Sequence, residues 1–306
     1  MARTSGTGRV GLILAGGSGT RLFPLTRVVN KQLLPVYDKP MIYYPLATLM
    51  LGGLREFVIV SSPNAIAQFE DCLGDGSKWG LSIQYAVQPK PEGIAQVFLV
   101  AEHLIDGRAS ALILGDNIFY GAGVPDQLAR ANARTTGATI FPYYVADPGA
   151  LGVVELEKKT AKPLALYEKP KEFRSNWAVP GLYYYDDQAV PYAKALKPSP
   201  RGELEITDLN KVYLERGALS AEILGRGVAW LDGGTHEDLF AAGQFVQALE
   251  ARTGLKISCP EEVAYRMGYI DLERLSALAD NFGGSSYGDY LRTITCLERD
   301  GAAHPR

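Results

Sequence analysis

Along the first 116 positions, apolar residues come in short unbroken runs divided by polar or glycine-rich breaks. Residues 10–15, 56–61, 81–87 and 111–114 are runs of this kind. Continuous rather than alternating hydrophobicity predicts strands buried on both faces. Between the strands the apolar spacing becomes helical. A stretch opened by Pro40 ends at Gly52-Gly53, with Pro45 expected to bend it. Residues 65–73 form a second helix, stopped by Gly74-Asp75-Gly76, and 94–105 a third. Strand and helix alternate with short connections. The expectation is an α/β fold with a mainly parallel, Rossmann-like sheet flanked by helices.

Past Asp116 the pattern changes. Residues 139–145, 152–157, 165–169, 182–185, 218–224 and 228–231 read as strands, with helices over 187–196 and 205–217. This predicts a smaller mixed sheet. From Thr235 onward the chain is mostly helical, over 236–252, 261–267, 272–279 and 287–297. The expected organisation is a leader at 1–8 and an α/β core at 9–234, followed by a helical region at 235–306. The core divides at 116/117. No internal repeat or low-complexity segment interrupts it.

The first strand ends in Gly16, Gly17 and Gly19, followed by Arg21 and then Lys31. Glycines let backbone N–H groups approach a phosphate closely, and two nearby cations suit a polyphosphate. The loop fits none of three common alternatives. No Lys-Ser/Thr follows Gly19, no third dinucleotide-fold glycine stands at Leu22, and Thr20 occupies the last place of a hydrolase elbow. Asp116 and Asp232 each follow an apolar run directly, in Gly-Asp-Asn and Leu-Asp-Gly-Gly. Carboxylates at strand ends are costly to bury uncompensated and suit a hard cation that also takes phosphate oxygens. In parallel sheets ligands sit beyond the carboxyl ends of the strands. The glycine loop, Gln88 and Asp116 all fall at that edge. His236-Glu237 lacks the second histidine of a zinc-protease helix, and 183–185 (Tyr-Tyr-Tyr) reads as strand packing.

The run Gly-x-Gly-Thr-Arg-Leu-x-Pro, followed by Lys31-Gln32-Leu-Leu-Pro-Val-Tyr-Asp-Lys-Pro-Met-Ile-Tyr-Tyr-Pro45, resembles the sugar nucleotidyltransferases. Within them it is similar to the glucose-1-phosphate thymidylyltransferases, from about residue 10 to about 290. The resemblance implies transfer of dTMP from dTTP to glucose 1-phosphate with Mg2+, opening dTDP-deoxysugar synthesis such as that of dTDP-rhamnose. It implies Arg21, Lys31 and Lys169 as catalytic residues. Leu14, Gly16, Gly17, Gly19, Thr20, Gln32, Gln88, Gly93 and Asp116 would contact the nucleotide. Asn117, Gly152, Glu168, Lys169 and Val179 would contact the sugar, and Asp116 with Asp232 would hold the metal. The C-terminal helices would make subunit contacts in a homotetramer, with feedback binding of a dTDP-deoxysugar. Leu151, Pro180 and Gly233 stand where the family pattern has Tyr, Thr and Thr, and Asn30 replaces a small hydroxyl residue. Sugar selectivity is therefore less fixed by the pattern than the reaction class.

Composition changes this picture little. Of 306 residues, 47% are hydrophobic, enough for a sizeable core, and the net charge of −3 argues against a nucleic-acid surface. Three scattered cysteines, Cys72, Cys259 and Cys296, form no Cys-x-x-Cys pair and read as reduced thiols. The polar N-terminus and the short apolar run at 41–51 predict a cytoplasmic protein without a membrane partner. Two other functions compete: a transferase using UTP or another sugar, and a catalytically silent sugar-nucleotide sensor. A sensor is expected to lack one of Arg21, Lys31, Asp116, Lys169 or Asp232, and all five are present.

Overall fold

A computed structural model describes residues 8–17 and 19–301. The expected leader lies outside these residues except for Gly8. The strand Val10–Ala15 lies in the interior of a seven-stranded sheet, fifth in spatial order from the Leu219–Ala221 edge. Glu56–Ser61 pairs with it in parallel on one side and Ser110–Leu114 in parallel on the other, while Ser82–Val87 lies outside Glu56–Ser61. The chain thus builds outward in one direction, returns across the first strand, and continues in the other. The glycine loop leaves Val10–Ala15 at this point of reversal, where an open α/β sheet has a crevice.

Strand burial follows from the apolar runs. Leu12, Val58 and Val60 face one cluster with Phe98, Ala193 and Leu209. Ile13, Phe57 and Ile59 face the opposite cluster with Leu46, Leu49, Met50, Phe69 and Leu128. Both sheet faces are covered, so each such side chain contributes about 1.5–3 kcal/mol on leaving water.

The sheet does not stop at residue 116. Leu182–Tyr185 pairs antiparallel with both Ser110–Leu114 and Ala138–Ile140, and Leu219–Ala221 completes the edge in parallel. The two expected halves of the core therefore share one sheet. The smaller sheet, Pro163–Glu168, Gly152–Leu156, Trp177–Ala178 and Tyr143–Tyr144, pairs antiparallel throughout rather than mixed. The expected strand at 139–145 divides between the two sheets. Pro142 has no N–H to extend the ladder, so the chain leaves the large sheet after Ile140 and enters the small one at Tyr143.

Other boundaries differ for local reasons. Pro45 stands in the first turn of Tyr43–Leu51, where N–H groups have no intrahelical partner, so no bend is required. The expected helix at 94–105 is two short pieces, Val97–Val100 and Glu102–Ile105. Its first residues are drawn aside because the Ala95 N–H donates to Leu204 O at 3.0 Å. Two elements lack a clear sequence signal: the helix Val124–Ala133 and the four-residue strand Asn117–Tyr120. The strand pairs antiparallel with Ala229–Asp232, setting Asn117 opposite Asp232. This ladder brings the neighbourhoods of Asp116 and Asp232 together across more than a hundred residues. Helices His236–Thr253, Pro260–Arg266, Leu272–Asp280 and Ser286–Arg299 finish the chain. The first starts directly after the Asp232 loop in a capping box between Thr235 and Asp238.

Candidate active site

The glycine loop is shaped by what lies behind it. A Cβ on Gly16 would meet Gln88 Oε1 at 2.4 Å, so the missing side chain makes room for that glutamine. Gly17 and Gly19 have φ of 96° and 59°, which turn the loop into the short helix Thr20–Leu22. Two adjoining hollows flank this loop. One, of about 280 Å3, is lined by Gly16, Gly17, Gly19, Thr20, Arg21, Lys31, Gln32 and Asp116, with Gly234 opposite. The other, of about 230 Å3, shares Gly16, Gly17, Gln32 and Asp116 and adds Leu14, Gln88, Gly93 and Glu203. All nine residues expected at the nucleotide thus line one continuous crevice.

Its polar hollow gathers charge. Lys31 Nζ lies 2.5 Å from Asp116 Oδ2, with both side chains largely buried. Gly233 N–H donates to Asp116 O at 3.2 Å and Gly234 N–H to Asp232 Oδ1 at 3.4 Å. Arg21 Nη1 would stand 3.6 Å from a Cβ on Gly234, so its guanidinium faces the Asp232 loop. Burial first, then Asp116 and Asp238, push the Asp232 carboxyl above its ordinary value, against the opposing pull of the Gly234 N–H and Lys31. This is negative charge at a strand end that the Gly234 N–H and Lys31 only partly offset. A hard divalent cation fits that need and the oxygen chemistry of the two carboxylates. Among the described residues no group of three or more His, Cys, Asp and Glu forms a metal cage. A cation here would take further oxygens from a ligand and water.

The second hollow is less polar. Gln32 is 4% exposed and, among the described residues, its Oε1 has no partner, a buried acceptor facing the crevice. Gln88 Nε2 donates to Gln96 Oε1 at 2.6 Å. Gly93 has φ of 106°, and a Cβ there would strike Leu204 O at 2.3 Å. The 88–96 loop is therefore laced to residue 204 by Leu204 N–H to Glu92 O at 2.8 Å and by the Ala95 bond.

Four of the five residues expected at the sugar, Gly152, Glu168, Lys169 and Val179, gather at adjoining strand ends of the small sheet, outside both hollows. Gly152 pairs with Glu168, and Val179 N–H donates to Gly152 O at 2.8 Å. Lys169 has φ of 43°, and its half-exposed ammonium lies 3.9 Å from Glu168 Oε1. Asn117 stands apart from this group. Its amide oxygen accepts from Gly181 N–H at 3.0 Å and Trp230 Nε1 at 2.8 Å, and its amide nitrogen donates to Asp116 Oδ1 at 2.8 Å. It is 3% exposed and holds Asp116 in place instead of presenting a polar group outward.

Two residues that the sequence reading passed over belong here. Thr207 donates to Glu168 Oε2 at 2.5 Å, and Arg201 Nη2 lies 3.3 Å from Glu168 Oε1. Arg201 also grips Glu205 at 2.8 Å. The 201–205 segment thus joins the two faces, since Glu203 lines the second hollow and Leu204 packs on Gly93. The only sequence signal was a cluster of charges in a Pro/Gly loop before a helix. Two departures from the family pattern also have local explanations. Asn30 caps the helix Lys31–Leu33 through the Gln32 N–H, at 2.9 Å, and reaches Ala15 O at 3.2 Å. Met41 fills the space above Gly233, its Cε 2.5 Å from the place a Cβ would take.

A mainly parallel sheet with a glycine loop at its reversal, two cations and two strand-end carboxylates suits the chemistry of a nucleotidyl transferase. The model of the nucleotidyl transferase family matches residues 10–248. The chain is 55% identical to a glucose-1-phosphate thymidylyltransferase of Xanthomonas campestris pv. campestris, over 97% of this chain and 100% of the relative. It is 52% identical to the Mycobacterium tuberculosis protein of the same name, over 95% and 99%. A candidate glucose-1-phosphate thymidylyltransferase from Bacillus anthracis, crystallised with sucrose, superposes with a TM-score of 0.71 at 40% identity, over 78% of this chain and 94% of that one. A UDP-glucose pyrophosphorylase in complex with UDP-glucose shares the fold, with a TM-score of 0.69 at 24% identity, over 79% and 99%. The chain belongs to the nucleotidyl transferase family and, within it, to the glucose-1-phosphate thymidylyltransferases. Among the described residues no helix is long and apolar enough to cross a membrane.

Proposed function

We propose that this enzyme transfers dTMP from dTTP to glucose 1-phosphate. A phosphate oxygen of the sugar attacks the α-phosphorus, the bond to the β-phosphate oxygen breaks, and pyrophosphate leaves in line. The attacking oxygen is already anionic, so no proton needs removal. The work is to hold two polyanions together and to stabilise charge on the leaving group. Arg21, Lys31 and the N–H groups at Gly16, Gly17, Gly19 and Thr20 grip the triphosphate. Gln88, Gly93, Leu14 and Gln32 receive the nucleoside. Lys169, with Arg201 beside it, takes the sugar phosphate, and Glu168, Gly152 and Val179 meet the sugar. Asp116 and Asp232 hold Mg2+, which when bound neutralises charge on the phosphate oxygens. Residues 9–116 serve the nucleotide and 117–234 the sugar, a division of labour on one shared sheet. Residues 235–306 provide homotetramer contacts and feedback binding of a dTDP-deoxysugar.

The observation that carries the reaction class is the convergence of Arg21, Lys31, Asp116 and the Asp232 loop on one hollow. The choice of dTTP and glucose 1-phosphate follows the relatives. Pyrophosphate release, measured with several triphosphates against several hexose 1-phosphates, with and without Mg2+, tests both. The thymine methyl and the missing 2′-hydroxyl both distinguish dTTP from UTP, and the methyl alone is worth roughly 10–200-fold in kcat/KM. Equal use of the two triphosphates would overturn the thymidylyl assignment while leaving the reaction class standing.

A further inference from the structure

The strips of chain that carry Lys31 and Asp232 run away from the site in contact, and their far ends meet in a buried ring of four charges. The first strip is the turn Pro35–Val36 to Lys39–Pro40, and the second is the helix His236–Thr253. Lys39 Nζ lies 2.6 Å from Asp38 Oδ1 and 3.1 Å from Glu250 Oε1. Lys256 Nζ closes the ring on Asp38 Oδ2 and on Glu250 Oε2, the latter at 2.8 Å. The side chains of Lys39 and Glu250 are 1% and 4% exposed. Ile257 N–H adds a bond to Glu250 Oε1 at 2.9 Å. The ring also secures a strained turn, for Tyr37 has φ of 61°, a region a tyrosine rarely adopts.

Burying four charges costs several kcal/mol per ion before pairing offsets it, and apolar groups of the same volume would stabilise the fold as well. What a ring adds is register. Contacts among Val36, Met41, Ala242 and Val246 join the strips, but apolar contact is non-directional and permits sliding. The ring satisfies its hydrogen bonds in one alignment only. At the other end of the same interface, the place of a Gly233 Cβ lies 2.5 Å from Met41 Cε and 3.7 Å from Lys31 Cε. A slide there would move Lys31 relative to Asp232.

We propose that Lys39 and Glu250 are positioning residues, which through this ring fix the separation of Lys31 from Asp232 that seats the triphosphate and its divalent cation. This rests on the functional reading above. The test is the double variant Lys39→Met with Glu250→Leu, which removes one charge of each sign and leaves Asp38 paired with Lys256. Its thermal midpoint, its Mn2+ affinity in the presence of dTTP by electron paramagnetic resonance, and its kinetics are compared with the unmodified protein. The expected result is a folded protein with Mn2+ affinity and kcat both lower by about 10–100-fold and KM for glucose 1-phosphate unchanged. A folded variant with unchanged Mn2+ affinity and kcat would overturn the proposal, as would a matching rise in KM for the sugar. If that variant fails to fold, Asp38→Leu with Lys256→Met is held to the same criteria. An unmodified protein that binds Mn2+ without transferring dTMP would sink the functional reading alone, and the Mn2+ comparison would still judge the ring.

Discussion

The two faces of the crevice are built differently. On the proposed nucleotide face Gln88 and Asp116 stand at the ends of parallel strands, and they and Lys31 are already engaged, whereas Arg21 is exposed. Lys31 touches Asp116 at 2.5 Å, and Gln88 is 4% exposed with its amide bonded to Gln96. On the proposed sugar face, Lys169 is half exposed, on an antiparallel sheet edge, and 3.9 Å from its nearest carboxylate. A preorganised face spends nothing on ordering when charge develops, so its losses should appear in turnover. A looser face that only captures substrate should show its losses in KM.

The sharpest way to break that contrast is Asp116→Asn. It removes the partner of Lys31 and half of the proposed cation site. The expected fall in kcat is about 10²–10³-fold, the scale of losing one preorganised electrostatic group. Pyrophosphate release at saturating substrates measures it, and unchanged kcat and metal demand would reduce the site to a shared shape. Lys169→Ala comes next. Losing one hydrogen bond to a charged group costs about 1.5–3 kcal/mol, or roughly 10–150-fold. That loss should fall on KM for glucose 1-phosphate, with kcat within a few-fold. A fall in kcat at constant KM would place Lys169 with the preorganised group and erase the distinction.

Gly93→Ala probes the seam between the faces. The backbone at φ 106° disfavours any side chain, at a cost on the order of 1–3 kcal/mol, and the new Cβ would also press on Leu204 O. The 88–96 loop and the 201–205 segment should then part. The expected signature is a lower melting temperature together with a higher KM for dTTP. A normal melting temperature would show that the seam is not what holds the loop.

How much of this the residues disclosed in advance depends on whether the chemistry was local. The glycine loop and Asp116 could be placed because each follows an apolar run, and strand ends fall at one sheet edge by topology, while Arg21 and Lys31 could be placed only by the loop that precedes them. Thr207 and Arg201 could not be, because they reach Glu168 from another helix and loop. The hydrogen bonds of Asn117 were hidden for the same reason. Its partners Gly181 and Trp230 are 64 and 113 residues away, so nothing nearby reveals that its amide is spent. The strand Asn117–Tyr120 was too short to show a period, yet its ladder with Ala229–Asp232 sets the two carboxylate loops side by side. The continuity of the large sheet past residue 116 was hidden too, because Pro142 divides one apolar run between two sheets.

The smallest expected effect separates the faces by stability instead of rate. Asp232 has its carboxyl pushed above the ordinary 3.8 by burial first, then by Asp116 and Asp238. The folded state therefore holds this proton more tightly than the unfolded chain does. The associated stability is fully present below the ordinary value and is lost as pH rises through the folded one. At neutral pH the ionised carboxylate is a burden on the ligand-free fold, and Asp232→Asn should remove it. The variant should melt higher at pH 7 by about 2 °C, the scale of somewhat under 1 kcal/mol for a chain of this size. The gap should close as pH falls below the ordinary carboxylate value, where Asp232 is neutral in both states. A divalent cation should raise the melting temperature of the unmodified protein more than that of the variant, since it binds only the folded site. Lys169→Ala, on the loose face, should show neither the gap nor its pH dependence. A gap for Asp232→Asn that persists on acidification would mean that packing, and not crowded negative charge, sets the difference.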